Sequence, residues 1–337
     1  MTVSRVINAE SNVRDDTRAK VIASVKALGY APNLAARSLA SACTLHLGIL
    51  YSNPSAAYLS ELLLGSLEQS RLAGCQLVIE RCQNDEGPTI ARLVQGGVHG
   101  VILPAPLCDS EAALQAVEQA GIPAVLVASG RPAPGLSAVS INDFEASRAM
   151  TRHLLELGHR RIAFINGHPN QTASGQRFRG YIEGMTEAGL SVGTDQVAQG
   201  YFTYRSGLEA AEQLLTVWNP TAIFASNDDM AAATVAVAHR RGLEVPGDLA
   251  VAGFDDTPLA TTVWPPLTTV RQPIAEMARE AVRLLIEQIR KQRGGETMPV
   301  RHKLLKFTLI DRESTAPSAS SPASRTISRP KSGTPKA

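Results

Sequence analysis

The chain has 337 residues, of which 44% are hydrophobic and 19% charged, with a net charge of +2. That is enough for two or three domains with a large core, and it excludes a chain that is disordered along most of its length. No apolar run reaches the roughly 20 residues that span a bilayer, and the N-terminus has no basic-then-apolar leader pattern, so a cytoplasmic protein is expected. The four cysteines, Cys43, Cys75, Cys82 and Cys108, form no CxxC pair and lack a His or Asp at metal-ligand spacing. They read as buried or idle thiols rather than as a metal site.

The charge is unevenly placed. Residues 1–42 carry six basic and three acidic side chains, residues 314–337 carry four basic and no acidic ones, and the stretch between them is left net acidic. A basic N-terminal segment on an acidic body is the asymmetry expected when one end meets a polyanion. In chain order, TVSRVIN (2–8) opens with a helical pattern, because Val3, Val6 and Ile7 share one face while Arg5 and Asn8 face away. DDTRAKVIASVKAL (15–28) predicts a second helix with acids in its first turn and Gly29 as its stop, and LAARSLA (34–40), capped by Asn33, predicts a third.

From residue 45 the pattern changes to alternating strands and helices. Strands are expected at 45–51, 75–80, 100–104, 123–128, 161–166, 221–226 and 249–254. Helices are expected at 60–73, 111–120, 145–157, 176–188, 206–216, 229–241 and 273–293. This alternation predicts parallel sheets covered on both faces, and the number of units predicts two doubly wound α/β lobes. Residues 314–337, rich in Ser and Pro, are expected to be a disordered tail.

No dinucleotide or phosphate-binding glycine loop, nucleophile elbow or HExxH motif is present, which lowers the expectation of an enzyme and implies no cofactor. The acidic pairs Asp228–Asp229 and Asp255–Asp256 at strand ends leave two readings: an acid/base or metal site, or hydrogen-bond acceptors for a hydroxyl-rich ligand beyond the carboxyl ends of the strands.

Several segments, in order, resemble the lactose-repressor/galactose-repressor family of bacterial transcription regulators. They are TVSRVIN, TRAKVIASVKALGYAPNLAARSLA, LLELGHRRIAFING, RFRGYIEGMTEAGL, TAIFASNDDMA, VPGDLAVAGFDDTPLA and PPLTTVRQP. The resemblance runs from Thr2 to about Glu313. It implies a helix-turn-helix headpiece at 1–32, a hinge helix and linker at 33–44, and an effector-binding and dimerisation body at 45–313. That body would have a type I periplasmic-binding-protein fold, with two Rossmann-like lobes, three crossovers and a cleft. It also implies a first helix and turn ahead of TVSR, so the headpiece from Met1 reads as partial, frayed, and weak on operator DNA compared with an extended form.

On the DNA side the resemblance points to Thr2, Ser4, Arg5 and Asn8 on the recognition helix. A guanidinium such as that of Arg5 can donate two bonds to guanine. Tyr30 and Asn33 resemble backbone-contacting positions, and Leu39 matches a hinge leucine that wedges into the minor groove. On the effector side Arg177 aligns with the family's clamping arginine, Asn227 and Asp255 with a pair bonding ligand hydroxyls, and Tyr58 and Phe202 with aromatics that pack on the ligand. Two positions depart from the family's pattern: Ala128 stands where many relatives carry an aspartate, and Asn142-Asp143 reverses the commoner order.

The expected function is thus a DNA-binding regulator, a repressor, that binds an operator as a homodimer under control of a small effector such as a sugar. With no leucine heptad after Glu313, a tetramer is not expected. Two alternatives remain: an effector-binding module without DNA function, and an α/β enzyme using Asp228 and Asp255.

Overall fold

The computed structural model describes residues 14–27, 45–296 and 298–315. It divides the chain into residues 1–44 and residues 45–337. In the first unit α1 (Asp15–Ala27) is the described element. The helices expected at 2–8 and 34–40, and with them Thr2, Ser4, Arg5, Asn8, Tyr30, Asn33 and Leu39, lie outside the described residues.

The second unit holds two six-stranded sheets. The first lobe contains β1 (His46–Tyr51), α2 (Ala56–Ala73), β2 (Gln76–Arg81), α3 (Glu86–Gln95), β3 (Gly100–Pro104), α4 (Glu111–Ala120), β4 (Ala124–Val127) and β5 (Ser137–Ser140). The chain then crosses through α5 (Asp143–Glu156) into the second lobe: β6 (Ile162–Asn166), α6 (Thr172–Glu187), β7 (Val197–Gln199), α7 (Tyr204–Val217), β8 (Ala222–Ala225), α8 (Asp228–Arg240), β9 (Ala250–Asp255), α9 (Leu259–Thr262) and β10 (Thr268–Arg271). It returns through α10 (Ile274–Arg293) to β11 (His302–Leu304) on the first sheet, and crosses a third time to β12 (Thr308–Ile310) on the second.

The sheet orders are β11-β5-β4-β3-β1-β2 and β12-β10-β9-β8-β6-β7. Every pairing is parallel except β10 with β12. This is the doubly wound pair of lobes expected from the alternation of strand and helix. The central strands are apolar throughout because both faces are covered: β3, β4 and β8 are buried at every residue. The largest buried side chains include Phe164, Tyr181 and Phe224. The Phe164 ring stacks on Tyr181 at 4.8 Å and meets Phe224 edge-on at 5.3 Å, while the Tyr181 hydroxyl donates to the Ile162 carbonyl.

Five strands and two helices, α3 and the four-residue α9, go beyond the expected elements. β5, β7, β10, β11 and β12 are three or four residues long, too short to show a period, and α3 is ten residues long with Gly and Pro in its first turn. The tail boundary is corrected as well. Ser314 is fully buried: its backbone N–H donates to Pro266, its carbonyl accepts from Val251, and its hydroxyl accepts from Thr268 N–H. Thr315 is buried beside it. Two small hydroxyl residues read as tail composition, but each pairs with the backbone or side chains of the second lobe, so the body extends to 315.

Candidate functional site

In each lobe the first and third strands are neighbours, and the helices that follow them leave in opposite directions. This leaves a crevice at the carboxyl ends of the strands. The two crevices together form one cleft lined by residues of both lobes. Tyr58 comes to it from the first turn of α2, Ala128 from the end of β4, and Arg177 from α6. Phe202, Asn227 and Asp255 follow β7, follow β8 and end β9. The five residues expected on the effector side therefore all line one cleft.

Arg177 is the centre of its polar wall and is almost fully buried. Its Nε donates to Asp143 Oδ1 at 2.8 Å and its Nη1 to the Ser226 carbonyl at 2.6 Å, while Asp255 Oδ1 lies 3.6 Å from Nη1. The guanidinium covers the Phe254 ring at 3.7 Å from its centroid, which fixes its plane. The reversed Asn142-Asp143 order acquires a purpose here. Asn142 caps α5 by accepting from Glu145 N–H, and the carboxylate falls one residue later, on Arg177.

Asp255 Oδ1 also accepts from Gln272 Nε2 at 2.6 Å. Burial pushes the Asp255 carboxyl well above its ordinary range, Arg177 opposing and Asp228 adding to the shift. Burial likewise raises Asp143, against the pull of Arg177. Charge here is therefore costly, and a ligand hydroxyl that donates to Asp255 would repay part of that cost.

Asn227 lines the cleft, but its amide serves its own lobe: Oδ1 accepts from Met230 N–H to cap α8, and Nδ2 donates to the Phe202 carbonyl. The Tyr58 hydroxyl and Gln272 Oε1 are buried at the cleft with no hydrogen-bond partner. An orphan donor and an orphan acceptor in one cleft call for a polar occupant. Of six non-glycine residues with positive φ among the described residues, Ala128, Phe202 and Asp255 line the cleft and Asp256 follows directly. Strained backbone gathered at one place is a mark of a working site.

The two acidic pairs divide. Asp228 points into its lobe, accepting from Thr257 N–H, Thr257 Oγ1 and Thr269 Oγ1, and Asp256 is held by Arg271 and Arg312. Asp229 bridges the lobes by accepting from Ser55 Oγ at 2.7 Å. Reading the sequence missed Asn53, Ser55, Gln171 and Gln272 as cleft residues. Asn53 and Ser55 follow a strand expected from the sequence, so the strand-end rule could have found both, whereas Gln272 lies in the quoted motif PPLTTVRQP after a strand too short to be read from sequence.

Residues 1–33 match the profile described as "Bacterial regulatory proteins, lacI family", and residues 151–315 match "Periplasmic binding protein-like domain". The chain is 35% identical over 323 residues to the HTH-type transcriptional regulator DegA of Bacillus subtilis (strain 168), covering 94% of each chain. Among solved structures it is similar to a transcriptional regulator CelR–cellobiose complex, with a TM-score of 0.73 and 33% identity, covering 93% of this chain and 95% of that one. It is also similar to the lac repressor dimer bound to operator and the anti-inducer ONPF, with a TM-score of 0.74 and 26% identity over 94% of each chain.

Proposed function

The chain belongs to the lacI family of bacterial regulatory proteins, and on that premise we propose that it is a repressor that binds operator DNA as a homodimer and releases or grips it according to a small neutral polyhydroxyl effector in the inter-lobe cleft. The observation that carries the effector reading is the convergence of Arg177, Asp255, Tyr58 and Gln272 on one cleft, with the Tyr58 hydroxyl and Gln272 Oε1 still unpaired. Asp143 already holds Arg177, and Asp229 and Asp255 stand nearby, so acids outnumber bases. An anionic ligand would have to compete with Asp143 and Asp255 for the one guanidinium, whereas a sugar hydroxyl can both accept from Tyr58 and donate to a carboxylate. The cellobiose held by the CelR relative fits the same chemistry.

In this reading Thr2, Ser4, Arg5 and Asn8 meet the operator from a headpiece at 1–32. Tyr30, Asn33 and Leu39 serve the hinge at 33–44, and the body runs from 45 to 315. The second copy docks on the first lobe, where α2 leaves Leu64, Leu67 and Leu72 exposed and the adjoining edge strand β2 leaves Val78 and Ile79 exposed. Scattered exposed apolar side chains are ordinary, but five on one helix and its neighbouring sheet edge suit a two-fold contact. The lac repressor dimer offers the precedent for such an assembly.

We read the protein as a regulator rather than an enzyme, because of the two acids an enzyme would use, Asp228 and Asp255, the first is committed to Thr257 and Thr269 inside its lobe and leaves Asp255 without a second free carboxylate from that pair. Among the described residues no helix is long and apolar enough to cross a membrane, and we place its action in the cytoplasm, where an operator is found.

Calorimetric screening of neutral and phosphorylated sugars against the intact chain tests the effector reading. A neutral sugar is expected to bind, and Arg177→Ala or Asp255→Ala is expected to weaken that binding by about 1.5–3 kcal/mol, the range for hydrogen bonds to charged groups. Unchanged affinity in both variants, or a clear preference for the phosphorylated sugars, would remove the assignment.

A further inference from the structure

The N-terminus of α6, the helix that carries Arg177, is not capped from its own lobe. Gln171 is its N-cap residue and makes no side-chain cap bond. The N–H of Thr172 donates instead to Asp109 Oδ2 at 2.8 Å, and Asp109 belongs to the turn that follows β3 in the other lobe. Thr172 Oγ1 donates to the same carboxylate at 2.9 Å from each oxygen, and Ser129 Oγ, at the end of β4, donates to Asp109 Oδ1 at 2.6 Å.

The next residues of the first lobe press on the same turn of helix. Arg131 N–H donates to Thr172 Oγ1 at 3.0 Å, and the Gly130 carbonyl accepts from Gln176 Nε2 at 3.4 Å. A Cβ on Gly130 would stand 2.7 Å from Ala173 N and 2.8 Å from Thr172 C, so the backbones meet there with room only for hydrogen. Three independent features therefore converge: a carboxylate bonding the first N–H of a helix, a hydroxyl pair sharing it, and a glycine at the point of contact.

We propose that Asp109 is a positioning residue that acts as an N-cap across the cleft, so that closing the lobes completes α6 and holds Arg177 in place, while opening them uncaps it. The physical basis is local. The first turn of a helix carries unpaired N–H groups and partial positive charge, and a carboxylate there stabilises it more than water does. Because the carboxylate comes from the opposite lobe, that stabilisation exists only when the lobes are together. Arg177 lies five residues further along the same helix, so the cleft's principal donor is held by an element whose first turn reports on closure. Elsewhere between the lobes Ser55 and Asp229 tie α2 to the first turn of α8. That tie is a separate contact between two side chains, and it leaves the backbone N–H groups of α6 untouched.

Hydrogen–deuterium exchange on the full chain, without any effector, tests the cap directly. Asp109→Ala is expected to speed exchange of the amides at 172–175 by about five- to tenfold, the scale of a lost N-cap, while β3 and β4 in Asp109's own lobe keep their rates. Asp109→Asn keeps an oxygen that can accept from Thr172 N–H and is expected to restore exchange to within about twofold of the parent. Gly130→Ala leaves Asp109 intact but forces the backbones apart, and is expected to speed the same amides. Small-angle X-ray scattering should show a larger radius of gyration for both Asp109→Ala and Gly130→Ala.

Parent rates at 172–175 in both variants would overturn the proposal. So would loss of protection confined to β3 and β4, since that is what a role within the first lobe alone produces. The consequence for effector affinity rests on the cleft reading given above, but the exchange measurement does not, so either can fail while the other stands.

Discussion

At the residue scale, Asp228 shows how a carboxylate can be kept in a core and what that does to stability. Burial pushes its carboxyl up from 3.8 to about 7, with the bonds from Thr269 and Thr257 opposing the shift. The folded protein then holds a proton on Asp228 between those two values where the unfolded chain has lost it. Stability from this group is therefore fullest below about pH 4, falls as pH rises through the window, and reaches its lowest above about 7. Asp228→Asn removes the ionisation and keeps the shape. Its amide oxygen can accept from Thr257, and its NH2 can donate to a Thr269 hydroxyl turned to accept. Thermal unfolding across pH should show the variant close to the parent at pH 4 and more stable by about 1–3 kcal/mol at pH 7. A parent whose advantage over the variant grows with pH would contradict the assigned environment.

At the element scale, helices that carry the site are set by glycines in contact with neighbouring backbones. A Cβ on Gly180 of α6 would lie 2.2 Å from the Phe144 carbonyl of α5, and one on Gly65 of α2 would lie 2.2 Å from the Ala275 carbonyl of α10. No side chain can yield at either place, because the obstacle is backbone. Gly180→Ala and Gly65→Ala should each cost about 1–3 kcal/mol in denaturant unfolding. Gly180→Ala should also weaken effector binding, since moving α6 off α5 displaces Arg177, whose carbonyl accepts from Ser147 Oγ at 2.5 Å. Gly121, at the end of α4 with nothing near its Cβ position, has φ of +63° and makes a useful contrast. Its requirement is conformational rather than steric.

At the scale of the whole molecule, the dimer contact proposed on the apolar face of α2 and β2 would tie oligomeric state to regulation. Leu67→Arg places a charge in the centre of the proposed two-fold contact and should shift the chain from dimer to monomer in sedimentation at micromolar concentration, with the lobes still folded. A persisting dimer would move the interface elsewhere. Operator binding should fall with the dimer, because one headpiece reaches only one half-site. Coupling between operator and effector is reciprocal, so whatever factor the effector imposes on operator affinity, operator imposes on effector affinity. The inter-lobe contacts at Asp109 and Ser55 are the places through which closure could pass from the cleft to that interface.

Much of this molecule is legible in its sequence, for reasons that can be named. Strands such as Gly100–Pro104 and Ala222–Ala225 are buried on both faces and read as unbroken apolar runs, and the helices between them carry their own periodicity, so two doubly wound lobes follow from local pattern alone. Arg177, Asn227 and Asp255 were legible because they sit in the motifs RFRGYIEGMTEAGL, TAIFASNDDMA and VPGDLAVAGFDDTPLA that carry the family resemblance, whereas Tyr58 and Phe202 were legible only as positions where that family places aromatics. The short strands β5, β7, β10, β11 and β12 were not, since three or four residues carry no period and their pairing partners lie in other parts of the chain. Ser314 looks like tail by composition and becomes core only when Val251, Pro266 and Thr268 are brought to it. α6 was expected to begin near residue 176 and begins at Thr172, because the residue that caps it, Asp109, is 63 positions away and belongs to the other lobe. Local pattern decides which segments are strand and helix, because the burial that shapes them repeats along the chain. The partners of polar groups are decided only by the fold, because a hydrogen bond depends on distance in space and not on spacing in sequence.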